Sequence, residues 1–244
     1  MNISNQTVLI TGGGSGIGLA IAQSLAEKGN RIVLVGRNEA KLRKAAEQVP
    51  GAALIACDIT NGADITRLVQ QVQTDFGDLS VLINNAGQAS TYQLSSNSDA
   101  FSKASSEMAT NYLAMIRLTE LLLPMLSQQP QASIVNVSSI LAYVPSSAVP
   151  TYSASKAAVH SYTQALRHTL KSTNIRVVEL MPPLVNTEFS EEIGGANGIP
   201  PQQVAEELLA GLAHDADEIR VGQTAQIYEF QRASPAEAFA LMNA

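Results

Sequence analysis

The chain alternates short apolar runs with longer stretches of helical periodicity. Residues 7–11 (TVLIT) form a β-branched run that ends in glycines. Residues 31–36 (RIVLVG), 53–57 (ALIAC), 80–84 (SVLIN), 133–138 (SIVNVS) and 175–180 (IRVVEL) are of the same kind, and 218–221 reads as a short seventh strand. The intervening spacing predicts a helix over 16–28 closed by Gly29, and another from the cap Asn38 to about residue 49, before Pro50. It also predicts a helix over 64–76, one or two long helices over 99–127, and one over 152–170. The strands are continuous apolar runs, not alternating ones, so both faces of the sheet are covered. Repeated strand–helix units with right-handed crossovers then give an α/β fold, a doubly wound parallel sheet of about seven strands with helices on both faces. Residues 1–244 read as one domain, without internal repeat, low-complexity tract or linker. Residues 186–201, rich in Gly, Glu and Pro after a strand's carboxyl end, read as a mobile lid or a plain surface loop. Residues 234–244 read as a terminal helix.

Composition narrows the partners. An apolar fraction of 45% over 244 residues is ample for a core. The 15 basic against 21 acidic side chains leave a net charge of −6, which disfavours nucleic acid and anionic lipid. Cys57 is the only cysteine, so an internal disulfide or a multi-cysteine zinc site is excluded. Residues 1–6 lack a basic and an apolar segment, and no apolar run approaches the roughly 18 residues of a membrane span. A cytoplasmic location is the expectation, and the sequons at Asn2, Asn5 and Asn136 read as chance. His160, His168 and His214 read as surface or packing residues, and no metal site is expected.

The first strand leads into Thr11-Gly12-Gly13-Gly14-Ser15-Gly16-Ile17-Gly18 and then a helix. Glycine lets backbone approach a ligand, and a helix N-terminus offers free N–H groups to phosphate. The spacing is G-x-x-x-G-x-G, and no Gly-Lys-Ser/Thr follows, so a P-loop is excluded. In such a Rossmann-like arrangement the residue ending the second strand faces the adenosine ribose. Here it is Arg37, followed by Asn38, with no carboxylate over 32–38, which favours the 2′-phosphate of NADP(H) while leaving NAD(H) possible.

Tyr152 and Lys156 are four residues apart and share a helix face. A free phenol titrates near ~10, and lowering it by about three units takes roughly 4 kcal/mol. A cation ~4 Å away at an effective dielectric of about 20 supplies about that. Asn84-Asn85-Ala86-Gly87 and Val137-Ser138-Ser139 end strands four and five on the same rim as the glycine turn. Asn111 reads by itself as the N-cap of a long helix.

Taken together, TGGGSGIG, NNAG, Asn111, Ser139 thirteen residues before the tyrosine, and YSASK resemble the short-chain dehydrogenase/reductase family over about residues 5–190. The resemblance implies hydride transfer between NAD(P)(H) and an alcohol/carbonyl pair. It implies that Tyr152 is the general acid/base, that Ser139 bonds the substrate oxygen, and that Lys156 lowers the tyrosine pKa and holds the nicotinamide ribose. It further implies that Asn111 supports a water-linked proton relay. Gly12, Gly14, Ser15, Gly16, Ile17 and Gly18 would cradle the dinucleotide. Asp58 and Ile59 match the adenine contact, and Asn84, Ala86 and Gly87 the adenosine wall. Pro182, Val185 and Thr187 match the carboxamide end, although Pro183 stands where the family has glycine. Chain length, PPLVNTE and residues 165–168 resemble a bacterial subgroup similar to the oxidoreductase encoded with lipoteichoic-acid D-alanylation genes. Family members pair their long helices, so a homodimer or homotetramer is expected.

For substrate, Leu141, Tyr143, Val149 and Leu184 around Ser139 and Tyr152 suggest an apolar pocket for a neutral ketone, aldehyde or secondary alcohol. Glu188, Glu191 and Glu192 disfavour an anion. A 3-oxoacyl-carrier-protein-type reductase and a non-catalytic dinucleotide-binding regulator are the alternatives. A serine hydrolase fails for want of a G-x-S-x-G elbow.

Overall fold

The computed structural model describes residues 3–244; the sequon at Asn2 and the first two positions of the expected domain lie outside them. The chain runs β1 (Thr7–Thr11), α1 (Gly16–Ala26), β2 (Arg31–Gly36), α2 (Glu39–Ala46), β3 (Ala53–Ala56), α3 (Gly62–Asp75) and β4 (Leu79–Asn84). It continues through α4 (Ala100–Met108), a π-helical turn (Ala109–Leu113), α5 (Ala114–Ser127), β5 (Ala132–Val137), α6 (Pro150–Leu170) and β6 (Ile175–Met181). It ends with α7 (Pro201–Ala213), β7 (Glu218–Arg220), α8 (Thr224–Ala233) and α9 (Pro235–Met242).

All seven strands pair in parallel in the order β3-β2-β1-β4-β5-β6-β7, so the doubly wound sheet expected from the apolar runs is present. The order reverses between β1 and β4, which opens a crevice at the carboxyl ends of those strands. Each face is covered. Ile10, Leu34, Val135 and Leu180 pack with Ile21 of α1, Leu42 of α2 and Leu208 of α7. Leu9, Val33, Leu82 and Val177 pack on the other face with Leu68 of α3, Leu118 of α5 and Leu170 of α6. Period-2 alternation thus assigns each strand residue to one core or the other. Cys57 belongs to the second core; burial pushes its thiol up to about 11, so it stays protonated near neutrality.

Three local readings change. The stretch 99–127 is two α-helices joined by the π-helical turn, so Asn111 sits inside a helical run and is not an N-cap. The terminal region holds α8 ahead of the expected last helix, a short helix with few apolar residues. Residues 186–201 form two short 3₁₀ turns bridged by Val185 and Ile199, not an irregular loop. Among the described residues no helix is long and apolar enough to cross a membrane.

Candidate active site

The crevice is a cavity of about 820 Å³ that runs from the glycine turn to the N-terminus of α6. At one end, Gly12 and Gly16 adopt positive φ of 67° and 55°. Ser15 caps α1 without a side-chain bond to its N–H groups, which leaves them free for an anion. A Cβ on Gly18 would lie 2.4 Å from the carbonyl oxygen of Gly12, so the turn closes only around hydrogen. Asn85 holds it: Nδ2 donates to the carbonyls of Thr11 at 2.9 Å and Gly12 at 3.3 Å. The Thr11 hydroxyl accepts from the N–H groups of Asn85 and Ala86. The residues fit a dinucleotide pyrophosphate: close backbone, free N–H groups and no side chain in the way.

That geometry gives a first expected result. Gly18→Ala forces backbone apart at a cost of about 1–3 kcal/mol. Calorimetry should show Tm lower by roughly 3–10 °C, with weaker dinucleotide binding; an unchanged Tm refutes the packing account.

At the other end, α6 presents Tyr152 and Lys156, both buried. Lys156 Nζ donates to the Val137 carbonyl at 2.8 Å and lies 5.5 Å from the centre of the Tyr152 ring. Burial drives the ammonium down to about 8, opposed by the charge of Glu179. Burial also raises the Tyr152 phenol well above its ordinary value; the Ser139 hydroxyl beside it pulls the other way and the Glu107 charge adds to the rise. In the ligand-free chain burial holds the phenol protonated, and Lys156 is not among the groups that shift it. The ammonium is instead bonded to a backbone carbonyl. Ser139 Oγ accepts from the Leu141 N–H at 3.1 Å, which leaves its own proton free to donate.

Asn111 stands behind this pair. Its Oδ1 accepts from the Gln88 N–H at 2.7 Å, and its Nδ2 donates to the Gln88 carbonyl at 2.9 Å and to Ser155 Oγ at 2.8 Å. It thus fixes the segment after β4 against α6, from a π-helical turn, a feature enriched at functional sites. Glu107, one turn earlier, is fully buried with neither carboxylate oxygen partnered among the described residues.

Of the residues singled out in the sequence, the cavity wall includes Gly12, Ser15, Gly16, Ile17, Ala86, Gly87, Ser139, Leu141, Val149, Tyr152, Lys156, Pro182, Leu184, Val185 and Thr187. Gly14 packs near Leu42 of α2 behind the turn. Arg37 and Asn38 follow β2 on the same rim, exposed, with Asn38 capping α2 through Lys41 N. Three expectations are corrected. Asn84 points into the sheet, where Nδ2 donates to Asn136 Oδ1 at 2.9 Å and Thr119 Oγ1 at 3.1 Å; its neighbour Asn85 faces the crevice. Ile59 is core, packed under β3, while the Asp58 carboxylate beside it caps its own turn through Thr60. Tyr143 turns away from the cavity: its hydroxyl accepts from Arg220 Nε at 3.3 Å and its ring stacks near His160 and Tyr228. Burial pushes its phenol up to about 12.

Part of the segment 186–201, from Thr187 to Ile193, lines the cavity. The Thr187 side chain approaches Gly16 and the Phe189 ring stands 5.9 Å from that of Tyr152. Glu188 is bound by Lys41 of α2 at 2.7 Å, and Glu192 accepts from Thr91 at 2.9 Å, so the segment is pinned on both sides of the crevice. The Glu188 charge is met by that lysine, which weakens its expected repulsion of anions. Met242 of α9 and Gln223, beside α8, complete the wall, contributions from the chain's far end that local sequence patterns do not show.

A family model described as short chain dehydrogenase matches residues 6–197. An uncharacterized oxidoreductase, DltE, of Bacillus subtilis (strain 168) is 34% identical over 248 residues, covering 100% of this chain and 98% of that protein. This agrees with the subgroup expected from the sequence. A short chain dehydrogenase from Burkholderia cenocepacia J2315, solved in complex with NADP, superposes with a TM-score of 0.88 at 27% identity and 100% coverage of both chains. One from Burkholderia phymatum, in complex with NAD, superposes with the same TM-score, 0.88, at 22% identity over 100% of this chain and 97% of the other, a likeness of fold.

Proposed function

The chain belongs to the short chain dehydrogenase family of oxidoreductases, and from that premise we propose that it reduces a neutral, apolar ketone or aldehyde, or oxidises the corresponding secondary alcohol, with NADP(H) preferred over NAD(H). The observation that carries the reading is the meeting of Ser139, Tyr152 and Lys156 at one end of a single cavity whose other end is the glycine turn.

When bound, the nicotinamide supplies the hydride in reduction or accepts it in oxidation. The chain's own residues do the rest. The turn from Gly12 to Ile17 would receive the pyrophosphate, Arg37 and Asn38 the adenosine ribose, and Ala86 and Gly87 its wall. Lys156, with one proton on Val137, has two left for the nicotinamide ribose. Pro182, Val185 and Thr187, which line the cavity, would hold the carboxamide end. In reduction, the phenol of Tyr152 gives its proton to the carbonyl oxygen as that oxygen gains charge, and the free proton of Ser139 bonds the same oxygen. Burial, which keeps the phenol protonated in the ligand-free chain, suits it to act as the acid when the reaction runs as a reduction.

Ile140, Leu141, Val149, Leu184, Phe189 and Met242 make the substrate end apolar, which supports a neutral substrate. The test is a panel of ketones, aldehydes, keto acids and carrier-linked 3-oxoacyl thioesters, followed by loss of reduced-nicotinamide absorbance. Neutral apolar carbonyls should give the highest kcat/KM; preference for carboxylates or carrier thioesters overturns the pocket argument.

A further inference from the structure

Behind the tyrosine–lysine pair lies a buried acid–base cluster that the proposed reaction leaves without a task. Glu179 of β6 is fully buried. Its carboxylate accepts from Ser138 Oγ at 2.5 Å and from His160 Nδ1 at 2.9 and 3.1 Å. His160 follows Lys156 by one turn of α6, as Lys156 follows Tyr152, so the three share one face. The amide nitrogen of Gln164 stands 3.2 Å from His160 Nε2, which assigns Nε2 as acceptor and Nδ1 as donor. Ser138 is next in the chain to Val137, whose carbonyl holds the Lys156 ammonium. The carboxylate thus meets the lysine through its field and through a bonded chain of Ser138 and the Val137–Ser138 peptide.

A buried carboxylate costs several kcal/mol unless it is paired. Here it is given a hydroxyl and an imidazole, not the fixed cations nearby. Arg220 and Arg167 are committed to Glu218. We propose that Glu179 is a positioning residue: it holds Lys156 in the ammonium form, and His160 sets how much of its charge Lys156 feels. The proposal rests on the reading of Lys156 as a cation that serves the cofactor ribose.

The charged surroundings give the sign. Lys156 faces Tyr152 and His160 on its own helix and Glu179 from β6, with Glu107 of α4 acting on Tyr152. His160 faces Glu179, Glu218 of β7, Arg167 of α6 and the Tyr143 ring. Its bond to Glu179 raises its pKa above the ordinary imidazole value. On the acid side the imidazolium offsets the carboxylate, where Lys156 is protonated regardless. On the alkaline side the imidazole is neutral and Glu179 acts in full, at the pH where burial would strip the lysine of its proton.

The experiment is NMR titration of isotopically labelled lysine in the full-length, cofactor-free protein, with Lys156 assigned by Lys156→Arg. Glu179→Gln keeps shape and an acceptor while removing charge. It should lower the Lys156 midpoint by about half to one pH unit, and the alkaline limb of kcat/KM for reduction should move with it. His160→Gln should leave that midpoint in place. If Glu179→Gln does not fold, His160→Lys, which sets a permanent cation on Glu179, should lower the midpoint in its stead. A midpoint that stays put in the folded variant overturns the proposal, because a purely structural Glu179 would change Tm or rate only. A midpoint that moves in a protein that turns over no carbonyl supports the electrostatic role and overturns the proposed activity instead.

Discussion

Tyr152→Phe should cut turnover by at least about a hundredfold, the usual worth of a positioned general acid, and leave dinucleotide affinity nearly unchanged. The ring is held by its surroundings: Phe189 packs 5.9 Å away, and the residue is buried at the start of α6. Phenylalanine keeps those contacts and loses only the O–H. The glycine turn, Ala86 and Lys156 remain, so the dinucleotide meets the same wall. Ser139 still bonds the substrate oxygen but lacks a proton it can give up near neutrality. The loss should thus fall on kcat and kcat/KM together, the sign of an interaction made in the transition state. Steady-state kinetics with the best carbonyl of the panel, beside fluorescence titration with the reduced cofactor, separates the two effects. A variant that keeps more than a tenth of the wild-type rate removes Tyr152 from the acid role.

The readability of this site in the sequence follows how local each feature is. The strands were legible because a strand buried on both faces must be an apolar run, and the glycine turn because its spacing is confined to seven positions. The strand ends shift by a residue or so because hydrogen bonding, not hydrophobicity, ends a strand: Leu79 and Met181 pair in the sheet although the runs read as 80–84 and 175–180. Asn111 reads as a cap because a π-helical turn has no sequence signature. Asn84 and Asn85 differ only in which way a strand end points, and the pleat sends the first into the sheet. Proximity to Ser139 misplaced Tyr143, whose ring is drawn off by Arg220 seventy-seven positions later. The Glu179–His160 pair spans two elements and nineteen positions, so neither residue signals the other in the sequence. The tyrosine–lysine spacing reads correctly as shared geometry on α6, while burial of the phenol and the bond of the ammonium to Val137 depend on strands that the local sequence does not show.

Arg37→Asp should reverse cofactor preference from NADP(H) to NAD(H). Arg37 follows β2 on the rim of the crevice and is exposed. Its neighbours are already engaged: Lys41 is held by Glu188 at 2.7 Å, and Arg43 by Glu39 at 2.5 Å. No carboxylate of the described residues forms an ion pair with Arg37, so its guanidinium is available to a 2′-phosphate. One charge-assisted contact of this kind contributes on the order of 1.5–3 kcal/mol, or roughly ten- to hundredfold in kcat/KM. The glycine turn offers no second basic group, since Ser15 stands exposed at the cap of α1, and measurable NAD(H) activity should therefore remain in the wild type. An aspartate at position 37 repels the phosphate and accepts from the ribose diol, so the two effects add. The ratio of kcat/KM for NADPH over NADH should fall by about a hundredfold or more. Lys41→Ala is the control: its ammonium is engaged with Glu188, so the ratio should change little. A wild type that prefers NADH, or an Arg37→Asp variant with the wild-type ratio, would show that Arg37 is solvated ahead of α2 and reads no phosphate.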